Sequence, residues 1–376
     1  MPERMRRRVS PERMRRVLRL DRRDDRGAVA VLIAILAGTG VLLGLAALVV
    51  DVGNLYAERE QLQSGADAAV VALAQQCAVG GPDCSSGAGA LGIAGAKADA
   101  NAADSLSGAT VVCGRGGSLS PCPAPNANLT ACLSPAPGSG TYVEVRTATE
   151  EAGGSTVLPP SFAQAVVSGY SGTTVAACAR AAWGSPGSAR LSLATSICEW
   201  MVGTNSGAAY PDPAADRILY LRQTPPAGTC QPDGAGGPTA PGGFGWLTDP
   251  GRNCLTPVVV GGSYLTRTRS GVSSACRNLL TTLRSSGEPV LMPVYDTITG
   301  TGTSAVFHIR GVAAFVVTGW NLSFSARPST LTGQDPCASN GHAGTCIYGY
   351  YTRTLVPGTA TLGGPDLGAH VVALIG

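Results

Sequence analysis

The chain has few charged and aromatic side chains, and it lacks the common catalytic motifs. Only 14% of its 376 residues are charged and 5% are aromatic, and it has three histidines and a single lysine, Lys97. It contains no H-E-x-x-H, G-x-S-x-G, Walker or EF-hand pattern. The sequence therefore predicts a protein that is not an enzyme, with no cofactor, no metal site and no small-molecule substrate.

Charged residues are also missing from one long stretch near the N-terminus. Residues 28–50 contain no charge, and their one polar side chain is Thr39. A helix of this length extends ~34 Å, and the hydrocarbon core of a bilayer is ~30 Å thick. This stretch therefore predicts a transmembrane helix.

The two flanks of this stretch differ in charge. Residues 1–26 hold eleven arginines and five acids, whereas residues 51–376 hold 16 basic and 19 acidic residues. Arginine excess marks the cytoplasmic side, which predicts a single-pass protein of the cell membrane with a cytoplasmic N-terminus and an extracytoplasmic C-terminal domain. An uncleaved signal anchor is favoured over a cleaved signal, because the stretch is long and no A-x-A site directly follows it. The arginines are explained by topology, so no nucleic-acid partner is expected.

All twelve cysteines follow the apolar stretch. Cysteines of exported domains usually form disulfides, so their position agrees with the predicted topology. Spacing does not determine the pairing, but sequence neighbours are the simplest pairs, and the candidates are Cys77 with Cys84 and Cys337 with Cys346. The latter two flank His342, but their spacing matches no zinc signature, so a disulfide loop is preferred to a metal site.

Residues 51–77 predict a helix that continues beyond the membrane. They lack proline and are rich in good helix formers. Apolar residues recur at three- and four-residue spacing and form one stripe, composed of Leu55, Leu62, Ala66, Ala69 and Leu73. The stripe fits a stalk helix packed on its own domain, or a surface that packs against helices of partner proteins; the first interpretation is favoured.

The remaining chain predicts short strands, turns and a few helices. Glycine (51 residues) and proline (26 residues) are frequent, yet 44% of the residues are hydrophobic. The expected fold class is α+β, with a long N-terminal transmembrane and stalk helix before a mainly antiparallel β, disulfide-rich ectodomain. The predicted regions are an Arg-rich cytoplasmic arm (1–27), a transmembrane helix (28–50), a post-membrane helix (51–77), a mixed region with a Gly/Pro-rich loop (78–190) and an extracytoplasmic α+β domain (191–376).

Asp296 and His308 are two polar residues of the last region for which a functional and a structural role are both conceivable. Asp296 begins a poor likeness of a D-x-S-x-S metal loop, because Ile298 occupies a hydroxyl position, so we expect Asp296 to end a strand and bond its own turn. His308 alternates with apolar residues and is expected to be structural.

The N-terminal segment resembles a known family. The run Asp25-Arg-Gly-Ala-Val-Ala30, the apolar stretch and Asp51-Val-Gly-Asn-Leu-Tyr-Ala-Glu-Arg-Glu-Gln-Leu-Gln-Ser-Gly-Ala-Asp-Ala-Ala69 look like the N-terminal module of TadE/TadG-like proteins of tight-adherence (Flp) pilus systems. Three later segments resemble members of the same family more weakly: residues 242–247, 293–296 and 307–319. Pilin-like members are cut after a glycine at the cytoplasmic edge of the span, which places the possible processing site between Gly27 and Ala28. Leu32 stands where such pilins often carry a glutamate.

The resemblance implies a membrane-anchored, noncatalytic pilus-assembly or pilus-accessory protein with a role in cell adhesion. Its expected partners are the lipid bilayer and other pilin-like or pilus-assembly membrane proteins. Two alternatives stay open at this point: an exported hydrolase with an unrecognised site, and an envelope-binding adhesin unrelated to pili.

Overall fold

The structure is a computed structural model. It describes residues 27–38, 40–124, 132, 135–212, 214–221, 230–233, 240–267, 272–301, 304–337 and 345–375. The Arg-rich arm up to residue 26 and His342 lie outside these described residues.

In the described residues three helices come first, and three further helices lie among the strands. The helices are α1 (residues 27–38), α2 (Val41–Ala78), α3 (Ala88–Asp99), α4 (Ala163–Val166), α5 (Ile197–Gly203) and α6 (Ser274–Ser286). The strands are β1 (Ser107–Arg115), β2 (Thr141–Thr149), β3 (Ala176–Gly184), β4 (Ser188–Arg190), β5 (Leu193–Ser196), β6 (Arg217–Tyr220), β7 (Phe244–Trp246), β8 (Pro257–Val259), β9 (Ser263–Leu265), β10 (Val290–Thr299), β11 (Val306–Leu322), β12 (Ser325–Arg327), β13 (Cys346–Thr352), β14 (Thr354–Leu355) and β15 (Ala369–Leu374).

The N-terminal helix is interrupted. Gly40 lies between α1 and α2 with φ +72°, a left-handed conformation that glycine adopts without steric cost and that commonly ends helices. The sequence predicted one unbroken helix over residues 28–50, and this prediction is wrong at Gly40. Among the residues that the structure describes, no helix is both long and apolar enough to cross a membrane.

The chain divides into two compact units. Unit 1 comprises Met1–Gln61 and Thr149–Val175, and unit 2 comprises Leu62–Ala148 and Ala176–Gly376. In unit 1 the segment 149–175 folds back on itself: the Thr149 amide donates to the Val175 carbonyl (3.0 Å), and Leu158 and Thr173 form an antiparallel bridge. The predicted boundaries at residues 78 and 190 stay predictions.

The first sheet of unit 2 has five strands in the order β1-β2-β3-β15-β14. Strands β2 and β3 are antiparallel, and the C-terminal strand β15 joins the sheet antiparallel to β3. The part of α2 that belongs to unit 2 and α3 pack on this sheet around small and branched side chains such as Ala69, Ala94, Val143 and Ala181. Because these side chains are small, the helices can lie close to the sheet.

The second sheet has eight strands, with β6-β13-β11-β10-β5-β7 as its main path. Strands β10 and β11 form its long antiparallel centre, and only short parallel pairing occurs, between β10 and β5. The core beneath it is aromatic and includes Phe244, Trp246, Phe315 and Trp320, each at most 2% exposed. The described residues thus confirm a mixed α+β fold with an N-terminal helix and a β-rich, disulfide-rich domain.

Candidate helix-packing site and Asp51 clamp

The predicted apolar stripe of α2 is mostly buried. Leu62, Ala66, Ala69 and Leu73 are at most 2% exposed, and their spacing places them on one face of the helix. All four belong to unit 2. Leu55 belongs to unit 1 and is half-buried. In the single chain, most of the stripe therefore packs on the chain's own domain.

Small residues set the distance between α2 and α3. A β-carbon added at Gly65 would lie 2.9 Å from the Ala98 Cα and 3.3 Å from its carbonyl oxygen. Contacts this short to backbone atoms are not tolerated without movement, so glycine at position 65 permits this approach. The facing side of α3 presents Ala90, Ala94 and Ala98, all buried.

Polar bonds fix the same part of α2 to the sheet. The Thr147 hydroxyl donates to the Leu62 carbonyl over 3.0 Å in a buried position. The Gln63 amide donates to the Cys178 carbonyl (3.1 Å) and to Asp67 within the helix (3.0 Å). Buried hydrogen bonds of this kind add specificity to apolar packing, because breaking one leaves a buried group unsatisfied.

Asp51 forms a clamp in unit 1. Its carboxylate accepts hydrogen bonds from the backbone amides of Ser161 (2.8 Å) and Phe162 (3.1 Å), and also from the amide of Ala163. The Asn54 side chain, one turn further along α2, donates to the Ser161 hydroxyl (3.1 Å). A carboxylate is well placed there, because the free amides at the start of a helical turn such as α4 carry partial positive charge.

Gly27 and Ala28, the possible processing site, are the first described residues. Both are helical and exposed, and a β-carbon at Gly27 would meet no atom within 4 Å. The structure therefore places both residues on an accessible surface, and cleavage after Gly27 stays a prediction.

The match to known families falls on these same elements. Residues 27–76 match the family described as putative Flp pilus-assembly TadE/G-like. This TadE/G-like segment spans α1 and nearly all of α2, and so includes Gly27, Asp51 and the apolar stripe. No curated protein and no solved structure gives a significant match to the chain.

Beyond the TadE/G-like segment, the twelve cysteines form six disulfides, each between two cysteines that are consecutive in the sequence. The six disulfides are Cys77–Cys84, Cys113–Cys122, Cys132–Cys178, Cys198–Cys230, Cys254–Cys276 and Cys337–Cys346. All lie in unit 2. The first closes the turn directly after α2, so the helix that starts in unit 1 ends in a covalent crosslink.

A buried ion cluster in the first sheet escaped the sequence analysis. The Glu144 carboxylate, 1% exposed, binds the Nε atoms of Arg146 (2.7 Å) and Arg180 (2.6 Å). Arg146 also donates to the Pro123 carbonyl over 2.7 Å. The three charged groups stabilise one another, because removing any one of them would leave a buried charge without its partner.

Glu144 lies beside two pairs of cysteines, one formed by Cys113 and Cys122 and the other by Cys132 and Cys178. In each group the carboxylate oxygen and the two sulfur atoms lie within 4.8 Å of one another. All four sulfurs are disulfide-bonded, whereas zinc binds the thiolate form of cysteine. In its disulfide-bonded form this cluster is therefore structural.

Asp296 does not end its strand, contrary to the expectation. It lies inside β10 at a bulge, where one of its carboxylate oxygens is 2.9 Å from His308 Nδ1 and the other is 3.7 Å from Arg310. Arg310 also binds Asp233 at 2.7 Å. The neighbouring guanidinium disfavours a divalent cation at Asp296, and the histidine has a partner in keeping with a structural role.

The weaker resemblance over residues 242–247 falls in the core of the second sheet. Phe244, Trp246 and Leu247 are at most 2% exposed, and the first two lie in strand β7. The Gly242 and Gly243 carbonyls accept from the buried Tyr295 hydroxyl. This segment is part of the packing of the sheet.

Proposed function

We propose that this chain is a membrane-anchored, noncatalytic assembly or accessory protein of a tight-adherence (Flp) pilus system. The observation that carries the proposal is the TadE/G-like match over residues 27–76. The matched segment holds the apolar stretch, Asp51 and the part of α2 that packs within unit 2. The remaining chain is a disulfide-crosslinked domain suited to the oxidising space outside the cytoplasm.

Membrane anchoring is supported by the apolar surface of α1 and the start of α2. Many large apolar side chains there are exposed: Val29, Val31, Leu32, Ile33, Ile35, Val41, Leu45, Leu48, Val49 and Val50. A surface of this kind is unfavourable in water and favourable in lipid, and glycine is tolerated in transmembrane helices. With the arginines on its N-terminal side, the segment is a single-pass anchor with residues 1–26 in the cytoplasm.

A role through contacts is supported by the polar groups of unit 2. Glu144 is enclosed by its two arginines, and Glu199 accepts from Arg217 (2.6 Å) and from the Gly243 amide (2.8 Å). Both carboxylates are buried and bound by cations or amides, as is typical of structural ion pairs. In the proposal, unit 2 therefore presents a crosslinked surface to other pilus-assembly proteins outside the membrane.

Crosslinking in intact cells tests this proposal. The full chain, with an affinity tag after Gly376, is crosslinked on piliated cells, purified under denaturing conditions and analysed by mass spectrometry. An unrelated single-span exported protein of similar abundance, carrying the same tag, serves as the control. We expect pilus subunits or pilus-assembly membrane proteins to be enriched over the control. Equal recovery with both baits would contradict the proposal.

A further inference from the structure

We propose that residues 157–167, here called the membrane foot, form a second contact with the lipid bilayer next to the anchor. The foot lies in unit 1 and is held to α2 through the Asp51 clamp. Its exposed side chains Phe162 and Val167 would insert among the headgroups and upper acyl chains of the extracytoplasmic leaflet. This inference rests on the proposed membrane anchoring and adds a site to it.

The clamp places the foot at the level where the apolar stretch ends. Asp51 is the first residue after residues 28–50, so it marks the boundary between hydrocarbon and headgroups in the anchored chain. Both carboxylate oxygens lie 3.1 Å from the Phe162 amide nitrogen. The Phe162 backbone is therefore held to this boundary through the side chain of Asp51.

The direction of the clamp points toward the membrane. In an α-helix each Cα–Cβ bond tilts toward the N-terminus, which for α2 is the side of the apolar stretch. Of these two α2 side chains, Ser161 bonds both Asn54 and Asp51, whereas the amides of Phe162 and Ala163 bond Asp51. From Ser161 to Ala163 the backbone thus moves away from Asn54 and stays beside Asp51, which is the residue nearer the apolar stretch.

The foot exposes apolar groups where a water-facing loop would carry polar ones. Phe162 is 51% exposed, Val167 54% and Val157 36%. Residues 152–179 contain no charged side chain. An exposed aromatic ring and valines, in a segment with no charged side chain of its own, are typical of a segment that lies in a membrane interface. Tyr56, 67% exposed on α2 about 7.5 Å beyond Asp51, adds an aromatic ring suited to the headgroup region.

The foot carries no group that would select anionic lipid. Without lysine or arginine in residues 152–179, the foot offers no cation to anionic headgroups. Its binding should therefore depend on apolar contact and should change little with salt or with the fraction of anionic lipid.

Fluorescence quenching by brominated lipid tests the foot in the full chain. The four natural tryptophans are at most 9% exposed and lie in unit 2, so brominated acyl chains should quench their emission little, and the parent chain measures this background. Three single variants are placed in phosphatidylcholine nanodiscs with bromine on the acyl chains. Phe162→Trp reports the foot, Val41→Trp reports the anchor, and Arg59→Trp reports an exposed site on α2 about 12 Å beyond Asp51.

We expect Phe162→Trp to be quenched at least twofold more than Arg59→Trp, with equal quenching in low and high salt. Quenching of Val41→Trp without any excess for Phe162→Trp would overturn the foot and leave the anchor in place. Absence of quenching in Val41→Trp would instead refute the anchoring on which the foot depends. Phe162 is exposed, so the substitution should fold, and helical circular dichroism equal to that of the parent chain verifies this.

Discussion

Gly65 on α2 lies so close to Ala98 on α3 that a β-carbon at position 65 would come within 2.9 Å of the Ala98 Cα. The contact joins the end of the TadE/G-like segment to the domain that follows it within unit 2. Here α2 packs directly against the backbone of α3, and the side chains between the two helices are small and buried. The packing of α2 in this region consequently depends on residue volume.

The first prediction concerns Gly65→Ala. The added methyl group meets backbone atoms of Ala98, and overpacking of this kind commonly costs about 1–3 kcal/mol. Gly53→Ala is the matched control, because Gly53 lies in the same helix with no atom within 4 Å of its β-carbon position. Alanine there should stabilise the helix by up to about 1 kcal/mol. Urea unfolding followed by helical circular dichroism should move the two midpoints in opposite directions, and a common direction would contradict the close contact.

The second prediction concerns a charge on the buried stripe. Leu62 is 2% exposed, so Leu62→Glu would bury an unpaired carboxylate, which is costly. We expect the variant protein to be degraded in cells, with a much lower steady-state amount on an immunoblot. Ser64→Glu adds the same charge on the exposed side of the helix and should leave the amount unchanged. Normal amounts of the Leu62→Glu chain together with fewer pili would instead assign the stripe to partner proteins.

The third prediction compares two disulfides. The cysteines of Cys77–Cys84 are 7 residues apart and those of Cys132–Cys178 are 46 apart. In the chain-entropy account the shorter crosslink contributes about 2.5 kcal/mol and the longer about 4 kcal/mol. Replacing Cys132 and Cys178 by serine should therefore lower the unfolding midpoint more than replacing Cys77 and Cys84. A larger effect for the short loop would indicate that native contacts, rather than loop length, dominate.

The same crosslinks predict a labelling pattern. Protein taken from its native compartment should show almost no alkylated cysteine before reduction, because all twelve are paired. Mass spectrometry after alkylation gives this count directly. Extensive labelling of unreduced protein would contradict the oxidised structure.

The fifth prediction concerns orientation. Protease added to intact, wall-stripped cells should digest the chain beyond about Asp51 and spare a fragment that contains residues 1–50, since the arginine-rich flank is expected inside. Antibodies to an N-terminal and a C-terminal tag detect the protected fragment and the digested domain separately. A C-terminal tag that is digested only after the cells are lysed would reverse the orientation.

Local patterns located many elements. In residues 274–285, Leu279, Leu280 and Leu283 fall on one side of a helix, a pattern that predicts α6. This helix has a Ser273 cap whose hydroxyl accepts from the Cys276 amide, and a left-handed Gly287 at its end. Residues 141–147 alternate, which predicts a strand, and they form the start of β2. These elements were predictable because periodicity and helix caps are encoded by neighbouring residues.

Contacts between distant residues were not predictable. Asp51 and Ser161 are 110 positions apart, and nothing in either local sequence marks the other as its partner. Alternation in β2 predicts a strand but does not show that Glu144 and Arg146 are buried, or that Arg146 bonds the Pro123 carbonyl 23 positions away. The interruption at Gly40 was missed because hydrophobicity alone carries no information on backbone conformation.

The central claim is that this chain supports pilus assembly through contacts outside the membrane. Its most direct test is the number of surface pili, counted by electron microscopy, in a strain that lacks the chain and in the same strain complemented with it. The account predicts a marked loss of pili and of adherence in the deletion strain, with both restored by the full chain. Normal pilus number and normal adherence in the deletion strain would contradict it.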